Sequence, residues 1–309
     1  MADMRSRRVL CIWLPAACLI LVMLVEAVAR LALPRLSKIE ARTDAEKRAA
    51  AVLTSTPSAR SLLIIGNSLL ESSIDIPKLN DQLPPHWRAS RLVVESTSYL
   101  DWYLALGRLL ERGARPEVVA LMLSPKQFLA DGVRGPYSAY HLWSPGQTIV
   151  AGSRLGYSLT RTSDLWLSSV FASYGVRYEM RNFVLQRVIP GVETTIQLLK
   201  GPNAAGMAPT PERASAVGVP RLDELSSLCA RYSVRCLFVL APSLEPSPPG
   251  AVALTELADA RGFGTGSLVV DAAALSVADF QADQFHMNPD GAGKYTRLLA
   301  DRLRSQLTP

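Results

Sequence analysis

Only three histidines and four cysteines occur in 309 residues, and no Cys-x-x-Cys or Cys/His cluster is present. That scarcity argues against a zinc framework and makes any histidine-dependent chemistry easy to locate. Charged residues are also sparse, at 19%, with no block of like charge and no basic stripe interleaved with aromatics. The formal charge of +6 therefore does not point to nucleic acid. Part of it comes from Arg5, Arg7 and Arg8 near the N-terminus. Beyond the first apolar stretch, no second one is long enough to span a bilayer, which excludes a multi-pass helical transporter. Internal repeats and long low-complexity segments are missing too.

The first apolar stretch is Val9–Val25, free of charge and extended by Ala27–Leu33. It approaches the ~20 apolar residues a transmembrane helix needs. Arginines on its N-terminal side place residues 1–8 in the cytoplasm and the rest beyond the membrane. Ala27-Val28-Ala29 resembles a signal-peptide cleavage site, but the apolar run exceeds the usual ~7–15 residues and Glu26 directly precedes that site. The expectation is an uncleaved anchor over residues 9–32 in a bacterial inner membrane, with the main domain in the periplasm. Residues 33–61 read as a polar helix followed by a Ser/Thr/Pro linker. Cys229 and Cys236 flank a helix-to-strand turn, where a disulfide and two buried thiols are both compatible with the spacing.

From residue 62 onward, short apolar runs alternate with helical patterning. Leu62–Ile65, Leu92–Val94, Val118–Leu123, Cys236–Ala241 and Leu268–Val270 read as strands. Tyr99–Arg112, Leu222–Tyr232 and Gly291–Leu307 read as helices. Continuous rather than alternating hydrophobicity in the strands indicates a parallel sheet covered on both faces, a three-layer α/β/α sandwich. Residues from about 130 to 215, rich in aromatics and arginine, break the alternation as a helical insertion. Two readings of it stand: a lid over the site, or a packed subdomain that never meets substrate.

In parallel sheets functional residues gather at the carboxyl ends of strands. There, Gly66-Asn67-Ser68-Leu69 follows the first strand and opens a helix, which exposes the Ser68 hydroxyl beside backbone amides able to hold an oxyanion. A bland alternative exists: Ser68-Leu69-Leu70-Glu71 also fits a capping box. His86 lies in a Pro-rich turn, and His141 lies in the insertion without a carboxylate nearby in sequence. His286 sits in Asp283-Gln284-Phe285-His286-Met287-Asn288-Pro289, ahead of the last helix. Asn288 suits the N-cap and Pro289 the first helical position. Asp283 can fix the imidazole tautomer and leave the other nitrogen for the Ser68 proton.

A serine in a Gly-x-Ser turn after the first strand, with Asp-x-x-His before the last helix, resembles the SGNH/GDSL hydrolase superfamily. The likeness is to its membrane-anchored periplasmic branch linked to exopolysaccharide O-acetylation. It implies a flavodoxin-like three-layer fold over residues 62–309 and a serine esterase or O-acyltransferase with Ser68, His286 and Asp283 as triad. It implies as substrate an acyl ester of a cell-envelope or exported polysaccharide, and as partner a membrane-bound acyl-donor protein. No metal or organic cofactor is called for. The family also supplies oxyanion donors from a Gly after the second strand and an Asn after the third. Here those places hold Glu95-Ser96-Thr97-Ser98 and Ser124-Pro125-Lys126-Gln127. Ser96, Ser98 and Gln127 join the Ser68 amide as oxyanion candidates. The departure also leaves room for a non-catalytic module that binds polysaccharide or a partner through a degenerate site.

Overall fold

A computed structural model describes residues 2–56, 58–189, 209–244 and 247–307. Four parallel strands form one sheet: β1 (Arg60–Gly66), β2 (Trp87–Val93), β3 (Val118–Leu123) and β4 (Arg235–Leu240), in the order β2-β1-β3-β4. Alternate residues of β1 serve opposite cores. Leu63 and Ile65 face one layer of helices, with Val119, Leu121 and Phe238 beside them. Leu62 and Ile64 face the other, with Ala120, Met122, Leu237 and Val239. Because both faces are covered, the inner parts of β1, β3 and β4 are continuously apolar, while the edge strand β2 carries Arg88, Ser90 and Arg91. The chain forms a three-layer α/β/α sandwich.

The order of the strands fixes where a site can lie. From β1 the chain steps outward to β2, then crosses back over β1 to β3. The crevice outside the carboxyl ends of β1 and β3 is the switch point of such a sheet.

Helices flank the sheet on both faces. The first, α1 (Ala2–Leu36), is followed by α2 (Lys38–Ala51), and α3 (Ser68–Ser73) leaves β1. Next come α4 (Tyr99–Glu111), then α5 (Pro136–His141), α6 (Leu159–Val170), α7 (Ala172–Gly175) and α8 (Arg177–Val188) in the insertion. The last three are α9 (Val219–Arg231), α10 (Pro249–Asp259) and α11 (Pro289–Leu307). Helices α4, α9 and α10 cover the first face through residues such as Leu106, Leu225 and Leu254. Helix α11 covers the second through Tyr295, Leu299 and Leu303.

Helix α1 contains one window, Trp13–Leu31, long and apolar enough to cross a membrane. Helix α2 lies along the β2 edge of the sheet. Its Glu46 accepts the Val93 amide at 2.9 Å and the Arg91 Nε at 2.8 Å. A carboxylate thus satisfies a backbone donor on the outer strand, where an unpaired edge invites aggregation. Ser55 Oγ accepts the Ser61 amide at 3.1 Å, and Thr54 bridges to Arg115, so the linker also rests on the domain.

Two expectations meet the structure at Cys229 and Leu268. Cys229 and Cys236 are disulfide-bonded, with Cα atoms 6.2 Å apart, joining the end of α9 to β4. Leu268–Val270 is not a strand. Thr265–Leu268 forms a helical turn instead, entered through Gly264 at φ +63° and held by Asp259, which accepts the Gly266 amide at 2.9 Å. Gly264 and Gly266 supply the tight turn, and Leu268 still reaches the core as a side chain.

Candidate active site

Asn67 is the residue that sets up the end of β1. Fully buried, it caps α3 by accepting the Leu69 amide at 3.0 Å, and its Nδ2 donates to the Thr97 carbonyl at 3.0 Å. Ser68 is therefore the first helical residue and not the cap. Glu71, the other half of the supposed capping box, pairs instead with Arg42 of α2. With both capping duties taken elsewhere, the Ser68 hydroxyl is left to face the loop ahead of α11. Gly66 contributes by its size: a Cβ there would lie 2.6 Å from the Met122 carbonyl of β3.

The loop is a short hairpin. Phe280 and Met287 form an antiparallel bridge, Gln281 N donates to the His286 carbonyl at 2.7 Å, and Gln284 turns the chain at φ +56°. Asn288 caps α11 by accepting the Gly291 amide at 2.9 Å, and its Nδ2 donates back to the Ala278 carbonyl at 2.7 Å. Asp283 Oδ1 accepts the amides of Phe285 and His286, each at 3.0 Å. Its Oδ2 lies 2.7 Å from His286 Nδ1, and His286 Nε2 lies 3.0 Å from Ser68 Oγ. Two segments 218 residues apart are brought into hydrogen-bond contact at this pair.

Partial burial would raise the Asp283 carboxyl, but the imidazole and the two loop amides outweigh it and hold the group down at about 2. Asp283 is thus an anion at any working pH. That fixes Nδ1 as the protonated nitrogen facing it and leaves Nε2 as the acceptor facing Ser68. The imidazole is about a quarter exposed, so the site opens to solvent.

A cleft of about 860 Å³ runs beside the triad. Leu69, next to the serine, and Gln284 and Phe285, near the histidine, line it. Pro125, Leu244 and Val270 line it too, and the lining is mostly apolar.

The other candidates divide. Ser96 is exposed and holds φ at +55°, the left-handed region that favours glycine, in the position where the resembled family carries one. Its neighbour Thr97 is tied to Asn67, so the Ser96 turn is fixed relative to α3. Ser96→Gly is expected to keep that backbone amide and to raise stability by up to about 1 kcal/mol through relief of the left-handed cost. Equilibrium denaturation read beside esterase turnover checks both halves.

Ser98 is withdrawn as an oxyanion donor. Its amide and hydroxyl both go to Asp101 Oδ2, at 2.9 and 3.2 Å, and the hydroxyl also meets the Gly132 carbonyl. Those bonds cap α4. Gln127 is likewise a cap: its Oε1 accepts from Ser124 N and Oγ, both at 3.0 Å, closing the turn Pro125–Phe128. None of its described contacts is with Ser68.

Asp101 itself is fully buried, and burial pushes its carboxyl up to about 6 against bonds from Ser98 and the Arg134 amide. A folded-state value above the unfolded 3.8 means that the native protein binds the extra proton. Its contribution to stability is complete below about pH 4 and lost as pH rises through 6. The loss amounts to about 3 kcal/mol at most. Urea midpoints measured from pH 4 to 7 should show this fall, and Asp101→Asn should flatten it.

Sequence reasoning missed a second polar cluster. His141 and Glu40 are buried, with Nε2 3.0 Å from Glu40 Oε2 but off the line of a hydrogen bond, and Tyr137 OH donates to Glu40 at 2.5 Å. The carboxylate lies about a hundred residues away in sequence, on α2, where no local pattern around His141 could reveal it. Among the described residues no group of three or more His, Cys, Asp or Glu side chains is arranged to hold a metal ion.

Comparison with known proteins adds little to this geometry. No protein-family model matches the chain, and no curated protein matches it. The crystal structure of TesA superposes on 80% of this chain and 100% of its own, with a TM-score of 0.38 and 11% identity. Similarity of that degree says nothing about activity.

Proposed function

We propose that this protein is a membrane-anchored serine hydrolase or O-acyltransferase of the SGNH/GDSL type, acting on ester-linked acyl groups. The observation that carries the reading is the unbroken chain from Asp283 through His286 to Ser68, with contacts of 2.7 and 3.0 Å. In the proposed reaction His286 Nε2 takes the Ser68 proton while Oγ bonds to the ester carbonyl carbon. The carbonyl oxygen becomes an oxyanion, held by the Ser68 and Ser96 amides. Collapse breaks the ester C–O bond, His286 returns the proton to the departing alkoxide, and the acyl group stays on Ser68. Water or a sugar hydroxyl then attacks the acyl carbon, giving its proton to His286; the acyl C–Oγ bond breaks, and His286 returns that proton to Ser68 Oγ.

An apolar window near the N-terminus and a disulfide in the domain support placement outside the cytoplasm, facing the cell envelope. An envelope or exported polysaccharide is the substrate class suited to that position, and a membrane-bound acyl donor the suited partner. Treating the full-length protein with a fluorophosphonate and mapping the adduct by peptide mass spectrometry tests the reading. Modification of Ser68 is the expected result. Full-length, folded protein that leaves Ser68 unmodified would sink it and favour a module that only binds glycan or a partner.

A further inference from the structure

We infer that the α6–α8 segment of the helical insertion is a membrane seat, resting in the outer headgroup layer of the bilayer that α1 crosses. The inference relies on the anchor reading of α1 and begins with two charged residues inside its apolar window. Most side chains of that window are exposed, Leu19 and Leu31 at 64% each, as a lipid-facing helix requires. Glu26 and Ala29 are the exceptions, at 7% and 2%, and Glu26 is the charged one. It pairs with Arg30 at 2.6 Å and accepts the amides of Ala172 and Ser173 at 2.8 and 3.0 Å, with the Ser173 hydroxyl at 2.8 Å. Arg30 Nη2 donates to the Val170 carbonyl at 2.8 Å.

An ionised group within a span is costly unless paired, and here the partner is the turn between α6 and α7. Glu26 lies five residues before Leu31, the end of the window, which is roughly 8 Å along the helix at 1.5 Å per residue. The turn Val170–Ser173 is consequently held level with the last turns of the span, within reach of the lipid.

The α6–α8 segment that contains that turn has the composition of an interface. Leu159, Trp166, Tyr174, Tyr178, Val188 and Ile189 are all exposed there, Leu159 at 87% and Val188 at 71%. Four arginines are interleaved with them. Arg177 stacks over Tyr174 at 4.1 Å, Arg181 over Tyr178 at 5.3 Å, Arg187 over Phe183 at 3.7 Å, and Arg161 over Tyr157 at 3.9 Å. Residues 159–189 carry those four arginines against two acids, Asp164 and Glu179. Aromatic rings with a polar edge and arginines with long apolar stems are the side chains that settle at headgroup depth, and excess positive charge favours anionic lipid. A lipid surface explains the exposed apolar groups, the arginines and the nearness of the span together.

The tryptophans provide the test. Trp87, Trp102 and Trp143 are buried, at 3%, 1% and 1%, so Trp13 and Trp166 are the two exposed ones. Full-length Trp13→Phe protein would be placed in nanodiscs of phosphatidylcholine and phosphatidylglycerol carrying spin labels at the headgroup, the 5-position or the 12-position of the acyl chain. The fluorescence component lost in the Trp13→Phe/Trp166→Phe variant belongs to Trp166. It should be quenched at least about twofold more by the headgroup and 5-position labels than by the 12-position label, and be shielded from acrylamide. Trp166→Phe protein, which retains Trp13, reports on the span itself. Lipid quenching of Trp13 with a Trp166 open to acrylamide overturns the seat and leaves the anchor standing. Quenching of neither overturns both.

Discussion

Ser68→Ala protein is expected to lose esterase turnover on an aryl acetate by at least about 10³-fold while keeping its thermal midpoint. The hydroxyl is half-buried and its contact is with His286 Nε2, so removing it deletes the nucleophile without opening the core. His286→Ala should fall to the same level. The double variant should be no worse than either single one, because groups that act as a unit are not additive. Asp283→Asn is a different case. The amide can still accept the loop amides through one oxygen, but it presents an N–H where His286 Nδ1 needs an acceptor. A loss of about 10²–10⁴-fold is expected, through the wrong tautomer.

The pH profile separates these roles. The Asp283 carboxyl, held at about 2 by the imidazole and two amides against its partial burial, stays ionised across the accessible range. Any acid limb above about pH 3 must then belong to a group other than Asp283. Its depressed value stabilises the fold above the unfolded 3.8, and that contribution is lost only as pH falls through 2. Full turnover by Ser68→Ala would end the acyl-enzyme reading, and wild-type turnover by Asp283→Asn would remove Asp283 from it.

Much of this was legible in the sequence because the physical signals were local. The strands β1, β3 and β4 appear as continuous apolar runs since both sheet faces are covered. The edge strand β2 shows only its last residues because Arg88, Ser90 and Arg91 interrupt it, and α11 announces itself through Asn288 and Pro289. Three histidines left one beside an Asp-x-x-His loop. What stayed hidden required tertiary contact. Asn67, not Ser68, caps α3, because Asn67 also has the Thr97 carbonyl to bind and Glu71 has Arg42. Ser98 and Gln127 resemble oxyanion donors by position, yet each closes a capping box that a search confined to catalysis passes over. Leu268–Val270 is apolar enough for a strand, and the glycines at 264 and 266 override it. The seating of polar α2 on the domain was hidden because its partners, Arg91 and Tyr137, lie far along the chain.

Gly291→Ala is expected to cut turnover about a hundredfold, although Gly291 touches no reacting atom. A Cβ at 291 would lie 1.9 Å from the Asp279 carbonyl oxygen and 2.9 Å from the Asp279 Cα, which is rigid backbone and not a side chain that swings aside. That same carbonyl accepts the Asn288 amide at 3.1 Å, and Asp279 is further clamped by Lys294 Nζ at 2.9 Å. The chain therefore has to move by about 1 Å at the residue immediately before the hairpin that carries Asp283 and His286. Displacements of that size at a reacting centre cost about 10²-fold. Overpacking should cost about 1–3 kcal/mol of stability, small enough to leave the protein folded. Gly293→Ala is the matched control on the same helix. Its Cβ meets only the flexible end of Lys78 at 3.2 Å, and replacing glycine inside a helix gains about 0.5–1 kcal/mol. A fluorophosphonate labelling rate about a hundredfold lower in Gly291→Ala and unchanged in Gly293→Ala would show that the close seat of α11 holds His286 against Ser68. Equal rates in the two would mean that the hairpin keeps its place without that contact.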